Sequence, residues 1–506
     1  MTRPDVPGSA TAAQAPDPLA ILRHWSVATP DAIAVISSSG HLTFSELYSE
    51  VRRLASGIRQ LIDADRPTVV VRSASGMRQW AMALAVRAAH GTCVPIDTDV
   101  PPARFNAIVE SAEPGLIIAD SSDDVTSAAA VTVDRGMLLK LANNPEDLED
   151  PTTLDSEHPV SILYSSGSTG TPKGIRIPAR SLRVFHDWAW RQYAPFDGDV
   201  FFSHASAMFD MSTLTTYLAL FSGRPIVLLN DDERRDVGRL WKLVTEAGVT
   251  FWYSVPFVLR QLVQVTPPTD PFWAGLRYVL YAGEAYPVSG IRDLSRRLDA
   301  GTVIHNLYGP TETNVCTFHE VDRLRLDDVD RVPIGRPLPW AHVVVDEERG
   351  DELCVHGDGV TLGYVGLPEA ALSAGHPRRT HCTGDIVEWI DGDLYLRGRI
   401  DRSLKVNGFR VEPGEIEAVA NQHPAVRDSI VLSQVRRSGT ELVLVVEGGT
   451  DADEGDIRRH LQARLSLFMV PRRIVILSEL PRNDRQKVDA EAARTLVFSE
   501  AATCRG

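Results

Sequence analysis

Tyr164-Ser165-Ser166-Gly167-Ser168-Thr169-Gly170-Thr171-Pro172-Lys173-Gly174 places three glycines, five Ser/Thr hydroxyls and one lysine in eleven consecutive residues. The apolar pair Ile162-Leu163 just before it reads as the end of a strand. Glycines let backbone N–H groups converge on an oxyanion, hydroxyls add donors and lysine adds charge. This is the composition of a loop that grips a polyphosphate. A Walker A loop needs Gly directly before Lys and Ser/Thr directly after, and here Pro172 and Gly174 hold those places. A polar Ser/Gly linker is the plain alternative, but linkers rarely carry a strand before them and a Pro-Lys-Gly exit.

Other segments carry potential chemistry at predicted strand ends. Tyr308-Gly309-Pro310-Thr311-Glu312-Thr313 follows a strand ending near Asn306. Its glycine turn, threonine and glutamate suit a phosphate with Mg²⁺ alongside. They suit equally well a helix N-cap with an acidic first turn. Ala282-Gly283-Glu284-Ala285 could approach a flat ring through its glycine. Thr383-Gly384-Asp385 offers a carboxylate to ribose hydroxyls, although a turn aspartate is its simpler reading. Phe209-Asp210-Met211-Ser212 follows a strand and opens a helix, where Asp210 is a natural N-cap.

Strand-like and helix-like segments alternate from about residue 160 to 310. Strands are predicted at Val200-Phe202, Pro225-Leu229, Val249-Val255, Tyr278-Tyr281 and Thr302-Ile304. Helices are predicted over Ser212-Phe221, Asp236-Ala247 and Phe257-Val263. This βαβ rhythm predicts a mostly parallel sheet covered by helices, with ligands at the carboxyl ends of its strands. After Gly384-Asp385 the texture changes. Asp391-Gly392-Asp393 signals a hairpin, and apolar runs at 430–432, 442–446 and 474–477 predict strands of a separate small domain. A boundary is expected at Asp401, giving a disordered tail over 1–17, a large domain over 18–400 and a small one over 401–506.

The 506 residues exceed one core. The net charge of −15 argues against nucleic acid as the partner. No run of about 18 apolar residues implies a membrane span, and no signal peptide is apparent. The five cysteines are scattered and odd in number, and no CxxC pair suggests a metal site. A reduced, cytoplasmic setting is expected.

Taken together these segments resemble the adenylate-forming superfamily, the group of acyl-CoA synthetases, luciferases and nonribosomal peptide synthetase adenylation domains. The resemblance runs from Leu42-Thr43-Phe44-Ser45-Glu46-Leu47 through Val94-Pro95-Ile96-Asp97 and the block Gly398–Arg410 to Lys487. It implies an α/β fold, with a large N-terminal domain of layered βα subdomains and a small, hinged C-terminal α+β domain. It also implies ATP, Mg²⁺ and a two-step reaction. A carboxylate attacks the α-phosphorus of ATP and expels pyrophosphate, and a phosphopantetheine thiol then takes the acyl group. By this resemblance Lys487 is the catalytic lysine, Glu312 meets Mg²⁺ and Thr311 meets phosphate. Asp385 meets ribose, Arg399 supports ribose or hinge, and Tyr308 faces adenine. Ser165, Ser166, Gly167, Ser168, Thr169, Gly170, Lys173, Gly283, Glu284, Ala285 and Asn306 complete the ATP site. Asp401 is the hinge, and Lys405 faces the site during thiol transfer.

In amino-acid-activating members, an aspartate at the place of Asp210 pairs with the substrate ammonium. The remaining pocket positions fall on Met211, Leu214, Tyr253, Leu280, Ala282, Leu307, Val315 and Cys316, with Lys487 last. That lining is apolar apart from its charged ends, which implies a compact apolar amino acid. It resembles the L-proline pocket of free-standing prolyl-carrier-protein ligases that feed pyrrole-2-carboxyl biosynthesis, differing mainly at Met211. Without the resemblance, Leu214, Leu280, Leu307 and Val315 read as core. Ala179, Leu396, Gln486 and Asn407 depart from the family pattern.

No carrier or condensation signature appears, so a discrete phosphopantetheinylated peptidyl carrier protein is expected in trans. It would dock on basic pairs such as Arg378-Arg379 or Arg458-Arg459. Two alternatives stand beside L-proline: D-alanine or another small amino acid, and a non-catalytic nucleotide-binding relative.

Overall fold

The computed structural model describes residues 17–120, 130–141, 155–167, 171–367, 379–436, 439–449, 452–482 and 488–503. The expectations for residues 1–16, Ser168, Thr169, Gly170, Arg378, Gln486 and Lys487 lie outside the described residues. The chain forms two compact units. One comprises Met1–Thr98, Val109–Tyr164 and Gly174–Ile400, and the other Asp99–Ile108, Ser165–Lys173 and Asp401–Gly506.

In the first unit the expected alternation is present. The central strands of a nine-stranded sheet, Phe201–Ser203, Ile226–Leu228, Phe251–Ser254, Tyr278–Tyr281 and Val303–Tyr308, run parallel. Their residues are nearly all buried, as expected for strands covered on both faces. A six-stranded sheet is built the same way around Thr68–Arg72 and Thr92–Ile96. The helix Val237–Glu246 starts where the Asp236 side chain accepts from the Gly238 and Arg239 amides, and it buries Leu240 and Val244. Four antiparallel strands, Ala341–Asp346, Glu352–Gly357, Thr380–Ile390 and Asp393–Arg399, form a third sheet. Its predicted hairpin turns at Asp391 and Gly392, whose φ values of 52° and 83° are those of a two-residue primed turn.

The second unit contains the strands Val426–Arg436, Gly439–Gly448 and Arg473–Leu477, with the helices Pro413–Ala420 and Glu454–Gln462. Val406, Val411, Ile416, Leu444, Ile457 and Leu461 form its core. Asn407 and Gly408, at φ 52° and 90°, close the hairpin between Leu404–Val406 and Phe409–Val411. The departure at Asn407 therefore has a local reason, because this turn favours Asn-Gly.

Two expectations require correction. Asp17, assigned to the disordered tail, caps the helix Pro18–Ala28 through the Leu19 amide and pairs with Arg87 at 3.0 Å. Cys354 and Cys382, expected as free thiols, form a disulfide. They are direct register partners on neighbouring strands, a relation that spacing along the chain does not reveal. Among the described residues, no helix is long and apolar enough to cross a membrane.

Candidate nucleotide and amino acid site

The strand Val303–Tyr308 ends on Tyr308, whose hydroxyl donates to Asp385 Oδ2 at 2.6 Å. Arg399 donates to Asp385 Oδ1 at 2.6 Å and to the Thr383 carbonyl at 3.2 Å. The Asp385 amide donates to Thr383 Oγ1 at 3.0 Å. Burial, and beside it the Asp385 charge, pushes the Tyr308 phenol well above its usual range, so it remains a donor. Tyr308, Asp385 and Arg399 are thus one hydrogen-bonded cluster, with the carboxylate fixed from both oxygens. Leu396 packs partly buried against the main core.

After Tyr308 the chain turns instead of starting a helix. Residues 309–316 connect to the antiparallel strand Thr317–Glu320, with Asn314 at φ 56°. The helix N-cap reading of Gly309-Pro310-Thr311-Glu312 is therefore excluded. A Cβ on Gly309 would lie 1.8 Å from the Asn314 carbonyl oxygen. Backbone cannot yield as a side-chain tip can. Gly309→Ala should destabilise the unit by roughly 2 kcal/mol or more, read as a lowered denaturation midpoint. A wild-type midpoint would contradict this close approach.

Glu312 is almost fully buried. The Tyr364 hydroxyl donates to its Oε1 at 2.7 Å, and His381 Nε2 lies 3.9 Å from its Oε2. Tyr364 is carried by a segment paired with the strand that leaves the phosphate-loop sequence: Ile175 bridges to Tyr364, and the Val365 amide donates to the Gly174 carbonyl at 2.8 Å. Neither Tyr364 nor His381 was singled out by sequence. Their signal is distance in the fold from Glu312, not spacing along the chain.

Asp210 sits half-buried before the helix Ser212–Ser222. It is not that helix's side-chain cap, since Met211 occupies the N-cap position and makes no side-chain cap bond. Its Oδ1 accepts from the Met211 amide at 3.0 Å. Burial above all, with the nearby Glu312 charge adding, pushes its carboxyl up to about 6. Tyr253 is held well above its usual range by burial and then by the Asp210 charge. Leu214, Tyr253, Leu280, Ala282, Leu307, Val315 and Cys316 are all buried in one continuous cluster, with Met211 packed against it. These residues therefore share the main core of the first unit, to which Met211, the neighbour of Asp210, is packed.

Other expected residues are placed as follows. The Glu284 carboxylate accepts from the Phe257 amide at 2.8 Å and faces Arg260 at 3.6 Å, so it serves the start of the helix Pro256–Val265. Gly283 has φ 91° and Ala285 is exposed. Asn306 donates to the Pro333 carbonyl at 2.8 Å. In the second unit the Ser166 hydroxyl donates to the Arg410 carbonyl at 2.8 Å, and the Gly167 amide to Glu415 at 3.0 Å. Glu415 also pairs with Arg104, both side chains being buried. Ser165, Lys173 and Lys405 are half-buried, and exposed Asp401 accepts from the Ser403 amide at 3.2 Å. Of the described residues in the proposed basic docking pairs, Arg379 pairs with Glu157 at 2.9 Å, Arg458 with Glu454 at 2.6 Å and Arg459 with Asp456 at 3.2 Å.

The sequence matches the AMP-binding enzyme family over residues 22–365 and the AMP-binding enzyme C-terminal domain over residues 415–487. It is 36% identical to an L-proline--[L-prolyl-carrier protein] ligase of Streptomyces coelicolor, over 89% of this chain and 91% of that one. Identity to the like-named Pseudomonas fluorescens protein is 31% (92% and 97% covered). Identity to a Bacillus licheniformis D-alanine--D-alanyl carrier protein ligase is 28% (92% and 97% covered). The fold is similar to that of NpsA-ThdA, an artificially fused adenylation–PCP di-domain from Klebsiella oxytoca (TM-score 0.80, 21% identity, 92% and 94% covered). It is also similar to that of o-succinylbenzoate CoA synthetase from Bacillus subtilis (TM-score 0.81, 20% identity, 94% and 98% covered). The chain belongs to the AMP-binding enzymes of the adenylate-forming superfamily.

Proposed function

We propose that this protein activates L-proline with ATP and passes it, as a thioester, to the phosphopantetheine thiol of a separate peptidyl carrier protein. A downstream pyrrole-2-carboxyl pathway would use that thioester. The observation carrying this reading is the half-buried carboxylate of Asp210, next to Met211, which packs against the buried apolar core holding Leu214, Tyr253, Leu280 and Leu307. Such a pocket selects an ammonium on a small hydrocarbon frame. Likeness to two ligases named for L-proline supports the choice of amino acid.

In the first step a substrate carboxylate oxygen bonds to the α-phosphorus as the bond to pyrophosphate breaks. The nucleophile is already anionic, so the protein must neutralise charge and align groups. Asp210 would hold the ammonium and orient the carboxylate. Asp385, fixed by Tyr308 and Arg399, would hold the ribose. Glu312, buried and anchored by Tyr364, would hold Mg²⁺, which supplies charge neutralisation to the phosphates when bound. In the second step the thiol sulfur bonds to the carbonyl carbon and AMP leaves. We place the domain boundary at Asp401, which would serve as the hinge.

The raised Asp210 pKa gives this reading a pH signature. Above about pH 6 the carboxylate is charged and can pair with the ammonium, and below it the carboxyl is neutral. The amino acid KM should therefore rise as pH falls through 6, about tenfold per unit well below it, while a flat KM from pH 8 to 5 would remove Asp210 from this role. D-alanine is the second reading, favoured by likeness to ligases of that name. Incubation with ATP, a phosphopantetheinylated carrier protein and either amino acid separates the two readings. Intact-protein mass should show the prolyl adduct forming much faster, and faster loading of D-alanine would replace the proposal.

A further inference from the structure

We propose that Cys354–Cys382 is a reversible thiol–disulfide modification site that sets the position of Asp385. Its functional consequence rests on the reading of Asp385 as a ribose ligand. The two cysteines face each other across the antiparallel strands Glu352–Gly357 and Thr380–Ile390. Two residues away on the first strand, Glu352 pairs with Ile386. Leu353 alone therefore opposes Thr383, Gly384 and Asp385, which form a bulge in the longer strand. Gly384, at φ 74°, supplies the left-handed residue of the bulge, and its amide donates to Glu352 Oε1 at 2.8 Å. The disulfide pins one end of the bulge, and Asp385 leaves its other end toward Tyr308 and Arg399.

Access to the bond is one-sided. Cys354 is fully buried and Cys382 is half-buried, so a thiolate reaches the bond at Cys382. The described free cysteines, Cys93 and Cys316, are buried, and burial pushes the Cys93 thiol up to about 12. Reduction by a dithiol proceeds by attack on the Cys382 sulfur, release of the Cys354 thiolate and closure of the reductant into its own disulfide. Two electrons and two protons pass to the protein. Two unbonded sulfurs must then separate, which frees the pinned end of the bulge and loosens the presentation of Asp385. Reduction should weaken ATP binding and leave amino acid binding unchanged.

The test uses the full chain. Free thiols titrated in denaturant should number three before treatment with dithiothreitol and five after, from five cysteines less the two in the bond. The ATP KM in pyrophosphate exchange should rise about fivefold on reduction, with the amino acid KM constant. A Cys354→Ser/Cys382→Ser double variant should show the reduced value and ignore dithiothreitol. Direct binding of a non-hydrolysable ATP analogue makes the same comparison without turnover, so failure of the amino acid reading leaves this test intact. Five free thiols even after diamide oxidation would overturn the proposal. So would equal ATP affinity in two redox forms whose thiol counts differ.

Discussion

Lys487→Ala should lower amino-acid-dependent ATP–pyrophosphate exchange by about three orders of magnitude, or ~4 kcal/mol of transition-state stabilisation. The reasoning is electrostatic. An anionic carboxylate must approach an anionic α-phosphate, and no proton transfer eases that encounter. A fixed ammonium that touches both groups only as the new bond forms acts on the transition state more than on either ground state. The resemblance gives this task to Lys487. Two half-reactions separate its role from a folding defect. Transfer from a chemically supplied aminoacyl-adenylate to a carrier thiol should survive in the variant, because that step develops charge at a carbonyl and not between two anions. Near-normal exchange in Lys487→Ala would refute the assignment.

Asp210→Asn should raise the amino acid KM about a hundredfold, with a much smaller change in the KM for ATP. The substitution preserves shape, and the side-chain oxygen can still accept from the Met211 amide, a bond of 3.0 Å in the native protein. Only the charge is lost. Removing one partner of a desolvated ion pair typically costs 2–5 kcal/mol, and ~2.7 kcal/mol corresponds to a hundredfold. The KM step near pH 6 should vanish in the same variant, since the titrating carboxyl is gone. Unchanged KM values with a retained pH step would place the ammonium elsewhere. The burial of Leu214, Tyr253, Leu280 and Leu307 in one cluster explains why neighbouring substitutions would be harder to interpret. They alter packing and pocket together.

The parallel sheet was legible because its strands are apolar throughout and its helices carry clear stops and caps, as at Asp236. The turn after Tyr308 was less so. Gly-Pro-Thr-Glu starts a helix as readily as it forms a turn, and the close approach of Gly309 to Asn314 decided the matter only in three dimensions. Asp210 looked like a helix cap for the same local reason, yet Met211 takes that position. The contacts of Tyr364 and His381 with Glu312, and the pairing of Cys354 with Cys382, depend on strand register and so left no local trace. The neutralisation of Arg458 and Arg459 was legible, with acidic residues three and four positions before them on one helix.

The most direct test of the central claim is amino-acid-dependent ATP–pyrophosphate exchange across a panel containing L-proline, D-proline, D-alanine, L-alanine and L-valine. The account predicts L-proline as the best substrate, by at least about tenfold in kcat/KM over either alanine, the discrimination expected from roughly two buried methylenes. Exchange strongest with another amino acid, or with none, would contradict it.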